Sequence, residues 1–150
     1  MKVYLDNCSY NRPFDNQAQM RIHLETQAKL HIQKLIQAGS LSLAVSYISR
    51  YENGNSPHSK NKIAIERFFQ NAATFVDIDK AKTVELRANE IMTCGVKAKD
   101  ALHIACAIEA KCDYFITTDD EILKKYKNDT IKACSPVEFI NIWEDFYEHI

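Results

Sequence analysis

The stretch DYFITTDD, residues 113–120, places an apolar run directly before two hydroxyls and two carboxylates. The apolar residues before Thr117 have the composition of a buried β-strand, so Asp119 and Asp120 come where that strand ends. Carboxylates at such a point either cap the helix that follows or hold a cation. The choice between these roles depends on which other segments reach the same place in the fold.

Strand and helix patterns alternate along the whole chain. Strands are predicted at KVYLD, SLSLAVS, ATFVDI, DYFITT and TIKAC, with helical segments between them. A long helix is predicted over 17–38 with Asp15 as its N-cap, and Ser56-Pro57 is predicted to open another. The alternation predicts an α/β fold, a three-layer α/β/α sandwich with a mainly parallel central sheet, formed by a single domain over residues 1–150.

Length, charge and cysteine content narrow the class of protein. The chain has 150 residues, of which 46% are hydrophobic, so it can bury one ordinary core. A net charge of −1 lacks the overall basic signature of a nucleic-acid-binding protein. The five cysteines lack Cys-x-x-Cys spacing, which argues against a zinc knuckle or a disulfide framework. Without an apolar run of bilayer length or a signal-peptide pattern, the sequence predicts a cytoplasmic protein with no membrane attachment.

Four acids are predicted to meet at one edge of the sheet. Asp6 ends the first strand and Asp119 follows the fourth, and parallel strands bring their carboxyl ends together. Glu52 lies on a short helix after the second strand, and Asp100 lies in the first turn of the helix before the fourth. Each acid alone also fits helix capping or a solvated surface. Two carboxylates 4 Å apart repel by about 1 kcal/mol in water and about 4 kcal/mol at an effective dielectric near 20, so together they predict a cation site.

Oxygen ligands favour magnesium or manganese over zinc. The segments VYLD, SYISRYE, KAKDALHIACAI and FITTDD, in this order, resemble the PIN-domain family over nearly the whole chain. That family consists of metal-dependent nucleases that mostly cut single-stranded RNA, and many are toxins of bacterial toxin–antitoxin pairs. The resemblance implies an endoribonuclease that hydrolyses phosphodiester bonds with one or two Mg²⁺ or Mn²⁺ ions, forms a homodimer and pairs with an antitoxin. The loop over Asn11–Asp15 resembles a subset of small stand-alone PIN-like proteins, with no role assigned to it.

Carrying the family motifs over to this chain implies three groups of functional residues. The implied catalytic and metal-binding residues are Asp6, Glu52, Asp100 and Asp119, with Glu66 or Glu85 as alternatives to Glu52. The candidates for supporting roles are Thr117, Asp120 and His103, although His103 is more readily interpreted as a partly buried histidine that packs on its own helix. The RNA-binding candidates are Arg12, Arg50, Lys97 and Lys99, each of which also suits an ordinary solvated side chain.

A binding module is the alternative from another class of function. In that case the acids would be remnants, and the protein would act through an antitoxin or another protein partner. The aromatic C-terminal segment around Trp143 and Phe146 would then offer the contact surface, unless it packs on its own sheet. Cleavage that requires Mg²⁺ or Mn²⁺ distinguishes the nuclease from the binding module.

Overall fold

A five-stranded parallel sheet forms the centre of the protein, in the order β3-β2-β1-β4-β5. The structure is a computed structural model that describes residues 1–149. All five predicted strands are present, which confirms the α/β class. Their bounds are β1 Lys2–Leu5, β2 Ser42–Ser46, β3 Thr74–Val76, β4 Tyr114–Ile116 and β5 Lys132–Cys134.

Eight α-helices connect and cover the strands within residues 1–149. They are α1 Asn7–Asn11, α2 Met20–Gln37, α3 Tyr47–Gly54, α4 Ser59–Phe69, α5 Ala81–Met92, α6 Ala98–Glu109, α7 Asp120–Lys125 and α8 Pro136–Glu148. Two 3₁₀ turns, Arg12–Phe14 and Ile78–Lys80, complete the connections. None of the helices in this part of the chain is both long and apolar enough to cross a membrane.

Two helices begin later than the capping patterns predicted. Asp15 does not cap α2, because its carboxylate accepts a hydrogen bond from Arg12 at 3.1 Å. Helix α4 does not open at Pro57, since the Ser56 hydroxyl accepts a local hydrogen bond from the His58 N–H at 3.4 Å. In both places a side-chain contact within the loop competed with the helix cap.

The alternation of side chains along the central strands divides the core into two layers. Val3 and Leu5 point to one face of the sheet, where α2, α4 and α8 cover them. Tyr4 and Phe115 point to the other face and are covered by α5, α6 and α7. This arrangement confirms the predicted three-layer sandwich, since each face of the sheet is buried under its own set of helices.

The sheet reverses its order of connection between β1 and β4. Leu5 and Ile116 are register partners at the carboxyl ends of these strands. Pairing continues one residue further, because the Asp6 N–H donates to the Ile116 carbonyl at 3.1 Å and the Thr117 N–H donates to the Cys134 carbonyl at 2.9 Å. Ligands of open α/β sheets bind at such switch points, and here the backbone that carries the first acid is held in the sheet.

Candidate active site

Asp6 lies directly after β1 and caps the short helix α1. Its Oδ1 accepts hydrogen bonds from the Ser9 N–H and the Cys8 thiol, both at 3.0 Å. Its Oδ2 accepts a hydrogen bond from the Thr117 hydroxyl. Burial raises the pKa of Asp6 above its ordinary value, and the hydrogen bonds from Cys8, Thr117 and Ser9 oppose that rise. The carboxylate is therefore buried and oriented through both oxygens, and its three donors favour the anion against the larger effect of burial.

Thr117 connects the ends of β1 and β4 through one hydroxyl group. Its Oγ1 donates to Asp6 and accepts a hydrogen bond from the Asp119 N–H at 3.0 Å. Asp119 caps α7, with Oδ1 accepting from the Glu121 N–H at 2.9 Å. Capping uses Oδ1, so the same carboxylate can cap a helix and still present Oδ2 to the switch point.

Asp100 lies in the first turn of α6 and is partly buried. Burial raises the pKa of Asp100 above its ordinary value, and the negative charges of three other acids add to the rise. In decreasing order of effect these neighbours are Asp119, Asp6 and Glu52, whereas His103 acts in the opposite direction. Asp100 is therefore close enough to each of the other three predicted acids to be affected by its charge.

Glu52 contacts a buried histidine. The Glu52 side chain is only 6% exposed, and its Oε1 lies 2.9 Å from His103 Nε2. The two atoms are close but not aligned for a good hydrogen bond, which leaves both buried groups poorly satisfied. Lys99 approaches the same oxygen at 3.6 Å from the solvent side. The Glu52 side chain is thus buried, and its Oε1 lacks a well-aligned hydrogen-bond donor.

A buried network of hydrogen bonds involves the other ring nitrogen of His103, Nδ1. The Tyr4 hydroxyl lies 2.6 Å from His103 Nδ1, 2.6 Å from Ser46 Oγ and 2.9 Å from Ser49 Oγ. Burial raises the pKa of Tyr4 well above its ordinary value, so the phenol keeps its proton. We assign that proton to the bond with Nδ1, which puts the histidine proton on Nε2, facing Glu52.

Tyr4→Phe is expected to lower the free energy of unfolding by about 1–3 kcal/mol, because it leaves buried donors and acceptors without their partner. The melting temperature should fall by about 2–4 °C for each kcal/mol lost in a chain of this size. Tyr147→Phe is the matched control, since that phenol is 65% exposed. Equal melting of the two variants would show that the network contributes nothing to stability.

The three glutamates proposed for the second acid occupy different positions. Glu52 is buried beside His103 and contributes to the raised pKa of Asp100. Glu66 on α4 and Glu85 on α5 are both exposed. The geometry favours Glu52 among the three.

Arg21 holds the backbone that leads from β4 into α7. Its guanidinium forms two hydrogen bonds of 2.7 Å with the Asp120 carboxylate, and Nη2 donates to the Thr118 carbonyl at 3.2 Å. Its Nε lies 3.5 Å from Glu25, one turn later in α2. Asp120 is therefore an anchoring residue on the segment that carries Asp119.

The Asn11–Asp15 loop is tied to the same ion-pair network. Arg12 Nη2 lies 3.2 Å from the buried Glu25 carboxylate, and Arg12 Nη1 lies 3.1 Å from Asp15. The Arg12 carbonyl accepts a hydrogen bond from the Thr26 hydroxyl at 3.2 Å. The loop is thus fixed to α2, and through Glu25 and Arg21 to the segment before α7, which gives the loop a structural role.

The RNA-binding candidates divide into one enclosed side chain and three exposed ones. Arg12 is only 18% exposed and pairs with two carboxylates. Arg50 is exposed, with its guanidinium carbon 4.9 Å from the centre of the Phe75 ring. Lys97 precedes α6 and Lys99 lies in its first turn, and both are exposed. The exposed cations Arg50, Lys97 and Lys99 are free of the loop network that occupies Arg12.

The acids do not form a closed cage as they stand. Within residues 1–149, no group of three His, Cys, Asp or Glu side chains is arranged to hold one metal ion. Both oxygens of the Asp6 carboxylate accept hydrogen bonds from within the protein. The donor chemistry nevertheless fits a divalent cation, because the donors are carboxylate oxygens that repel one another. Binding an ion here requires the carboxylates to turn toward it.

A family model described as the PIN domain matches residues 13–128. The match covers more than half of an α/β chain with acids at its switch point, and the chain belongs to the PIN-domain family. PIN domains are generally nucleases and typically use divalent metal ions. The matched range includes Glu52, Asp100 and Asp119, whereas Asp6 lies before it. A comparison with curated proteins found no match.

Several residues that contact the candidate acids or anchor nearby segments were not identified from the sequence. Burial and the neighbouring Asp6 raise the pKa of Cys8 to about 12, so Cys8 acts as a thiol donor to that acid, a role that its position in the sequence does not indicate. Tyr4 was interpreted only as part of a strand. The spacing of Arg21 and Glu25, four residues apart on a predicted helix, was the one available signal for the loop network.

Proposed function

We propose that this protein is a metal-dependent endoribonuclease that hydrolyses phosphodiester bonds of single-stranded RNA. The observation that supports it best is the electrostatic coupling of Asp100 to three other acids at the switch point of a PIN-family sheet. Carboxylates that repel one another in a partly buried site favour a bound cation. A nuclease provides a use for that cation, because its substrate carries negative charge.

The residues that would hold one or two Mg²⁺ or Mn²⁺ ions are Asp6, Glu52, Asp100 and Asp119. When bound, such ions supply Lewis acidity and neutralise charge on the phosphate during in-line hydrolysis. The protein's own contribution is orientation. Thr117 and Cys8 direct the Asp6 carboxylate, and His103 lies beside the carboxylate of Glu52. These contacts would limit the side-chain conformations that the Asp6 and Glu52 carboxylates can adopt.

Exposed cations near the acids support the choice of a polyanionic substrate. Lys97 and Lys99 flank the start of α6, and Arg50 lies on α3 with Glu52. Once bound metal ions offset the four site acids, the 19 Lys and Arg residues outnumber the other acids. A mildly basic surface suits contacts with the phosphate backbone of a single strand. We assign Arg12 to the loop network and not to the substrate.

Cleavage of an end-labelled single-stranded RNA tests the proposal. Protein stripped with EDTA should be inactive and should recover activity on titration with Mg²⁺ or Mn²⁺, but not with Ca²⁺ used as a matched divalent control. Asp100→Asn, purified in parallel, controls for contaminating nuclease. Undiminished cleavage in EDTA would refute the metal mechanism, and a lack of cleavage with either metal would favour the binding module.

The partners remain part of the same proposal. The family suggests a nucleic-acid substrate and toxin–antitoxin pairing. We place both in the cytoplasm as part of the proposal. On α8, Trp143 is largely buried, whereas Phe146 and Tyr147 are 43% and 65% exposed. We propose that these two exposed aromatic side chains contribute to the contact with an antitoxin or with a second copy of the chain.

A further inference from the structure

Helix α2 buries a lysine beside an aromatic cavity. Lys29 is only 5% exposed, and its Nζ lies 5.4 Å from the centre of the Phe68 ring and 5.8 Å from that of Tyr10. Its ammonium donates to Gln33 Oε1 at 2.9 Å. The adjoining cavity has a volume of about 230 Å³, with Phe14 also in its wall. A cation that is removed from water in this way ordinarily has an anionic partner.

Lys29 has no such partner in the described part of the chain. Glu25, one turn earlier on α2, is engaged by Arg12 and Arg21 at 3.2 and 3.5 Å. Burial lowers the pKa of Lys29 to about 8, and no nearby carboxylate counteracts it. The amide of Gln33 is neutral and the two nearby aromatic rings offer only cation–π contacts, so no formal negative charge balances the ammonium. An anion entering the cavity would supply the missing charge.

We propose that this cavity is a binding site for a small carboxylate, whose charge pairs with Lys29 and whose apolar body packs against Tyr10, Phe14 and Phe68. The volume suits a ligand the size of one substituted aromatic ring. Aromatic walls disfavour a compact, strongly hydrated anion such as inorganic phosphate, because its other oxygens would lose their water without replacement. The site is separate from the proposed nuclease function and does not depend on it.

Benzoate and benzamide are matched probes, since they share a shape and differ in charge. Binding is measured by calorimetry and by the shift in melting temperature, with EDTA present to exclude metal effects. Wild-type protein and Lys34→Met, which replaces an exposed lysine of the same helix, should bind benzoate equally. Lys29→Met should bind it at least tenfold more weakly, and benzamide should bind wild type at least tenfold more weakly than benzoate.

Lys29→Met is expected to fold, because it replaces an unpaired buried charge by an apolar side chain of similar length. Ala64→Phe is a second variant, which fills the cavity from its rim and keeps Lys29, and it should also lose benzoate. No binding of benzoate by wild type, equal binding by Lys29→Met, or retained binding by Ala64→Phe would each overturn the proposal. So would equal affinity for benzamide, or a preference for inorganic phosphate.

Discussion

Replacing Asp100 by asparagine is expected to abolish metal-dependent RNA cleavage and to raise the melting temperature of the metal-free protein. Activity should fall at least about a hundredfold, since even residues that only support metal ligands typically contribute about 10- to 100-fold. The melting temperature should rise because the Asp100 carboxylate is partly buried and is repelled by three other acids in the folded protein. Asparagine keeps the shape of the side chain and removes that repulsion.

The pH dependence of the melting temperature tests whether the loss of the Asp100 charge causes the higher stability of Asp100→Asn. The pKa of Asp100 is raised in the folded state, so its ionisation disfavours folding once the pH exceeds the unfolded-state pKa of about 3.9. The gain should therefore be present at neutral pH and disappear near pH 3. Because solvent screens the charge of a partly exposed group, we expect the melting temperature of Asp100→Asn to rise by only about 1–3 °C.

Metal-dependent stabilisation provides the second readout for Asp100→Asn. Mn²⁺ should raise the melting temperature of wild type, because a ligand that binds only the folded state stabilises it. The variant should show little of this shift. Asp79→Asn is the matched control, since it removes an exposed carboxylate elsewhere. If Asp100→Asn lowered the melting temperature and kept full activity, the acid would be structural and the proposed site would be wrong.

Glu52→Gln is expected to reduce cleavage by about 10- to 100-fold, with partial recovery at high Mn²⁺ concentration. Glutamine can still contact His103, but it lacks the negative charge that a divalent ion prefers. The loss should therefore appear mainly as weaker metal binding, measured as the Mn²⁺ concentration that gives half-maximal activity.

Glu66→Gln and Glu85→Gln are the matched controls for this change, because both glutamates are exposed and both were alternatives for the second acid. Each should cleave within about twofold of wild type, as surface substitutions away from such sites usually have small effects. A greater loss in either control than in Glu52→Gln would transfer the role to that residue. Unchanged metal dependence in Glu52→Gln would leave Glu52 as a structural partner of His103.

The fold was largely predictable from local pattern. Apolar runs such as VYL and YFI are expected to be buried in any compact fold. Helices that join parallel strands through short connections allow only a few sheet topologies. The helix starts at Asp15 and Ser56 were mispredicted, and each of these side chains makes a hydrogen bond within its own loop instead. Cap signals of this kind depend on contacts that a linear pattern does not display.

The positions of the candidate acids in the fold were predictable from the sequence, and the contacts of their side chains were less so. Asp6 and Asp119 could be placed together because parallel strands bring their carboxyl ends to one edge. The bond from Tyr4 to His103 joins residues 99 positions apart, and no local spacing indicates it. The ion pairs of Arg12 and Arg21 with Glu25 likewise appear only when the loop folds onto α2.

The amino-acid sequence alone determined the order of strands and helices along the chain and the residue types available at the switch point, because periodicity and composition act locally. Tertiary structure alone decided which partner each polar side chain took, since buried donors and acceptors pair with whatever the packed core brings within reach. Cys8 became a donor to Asp6, Glu52 came against His103, and Lys29 was left in an aromatic cavity without a counterion.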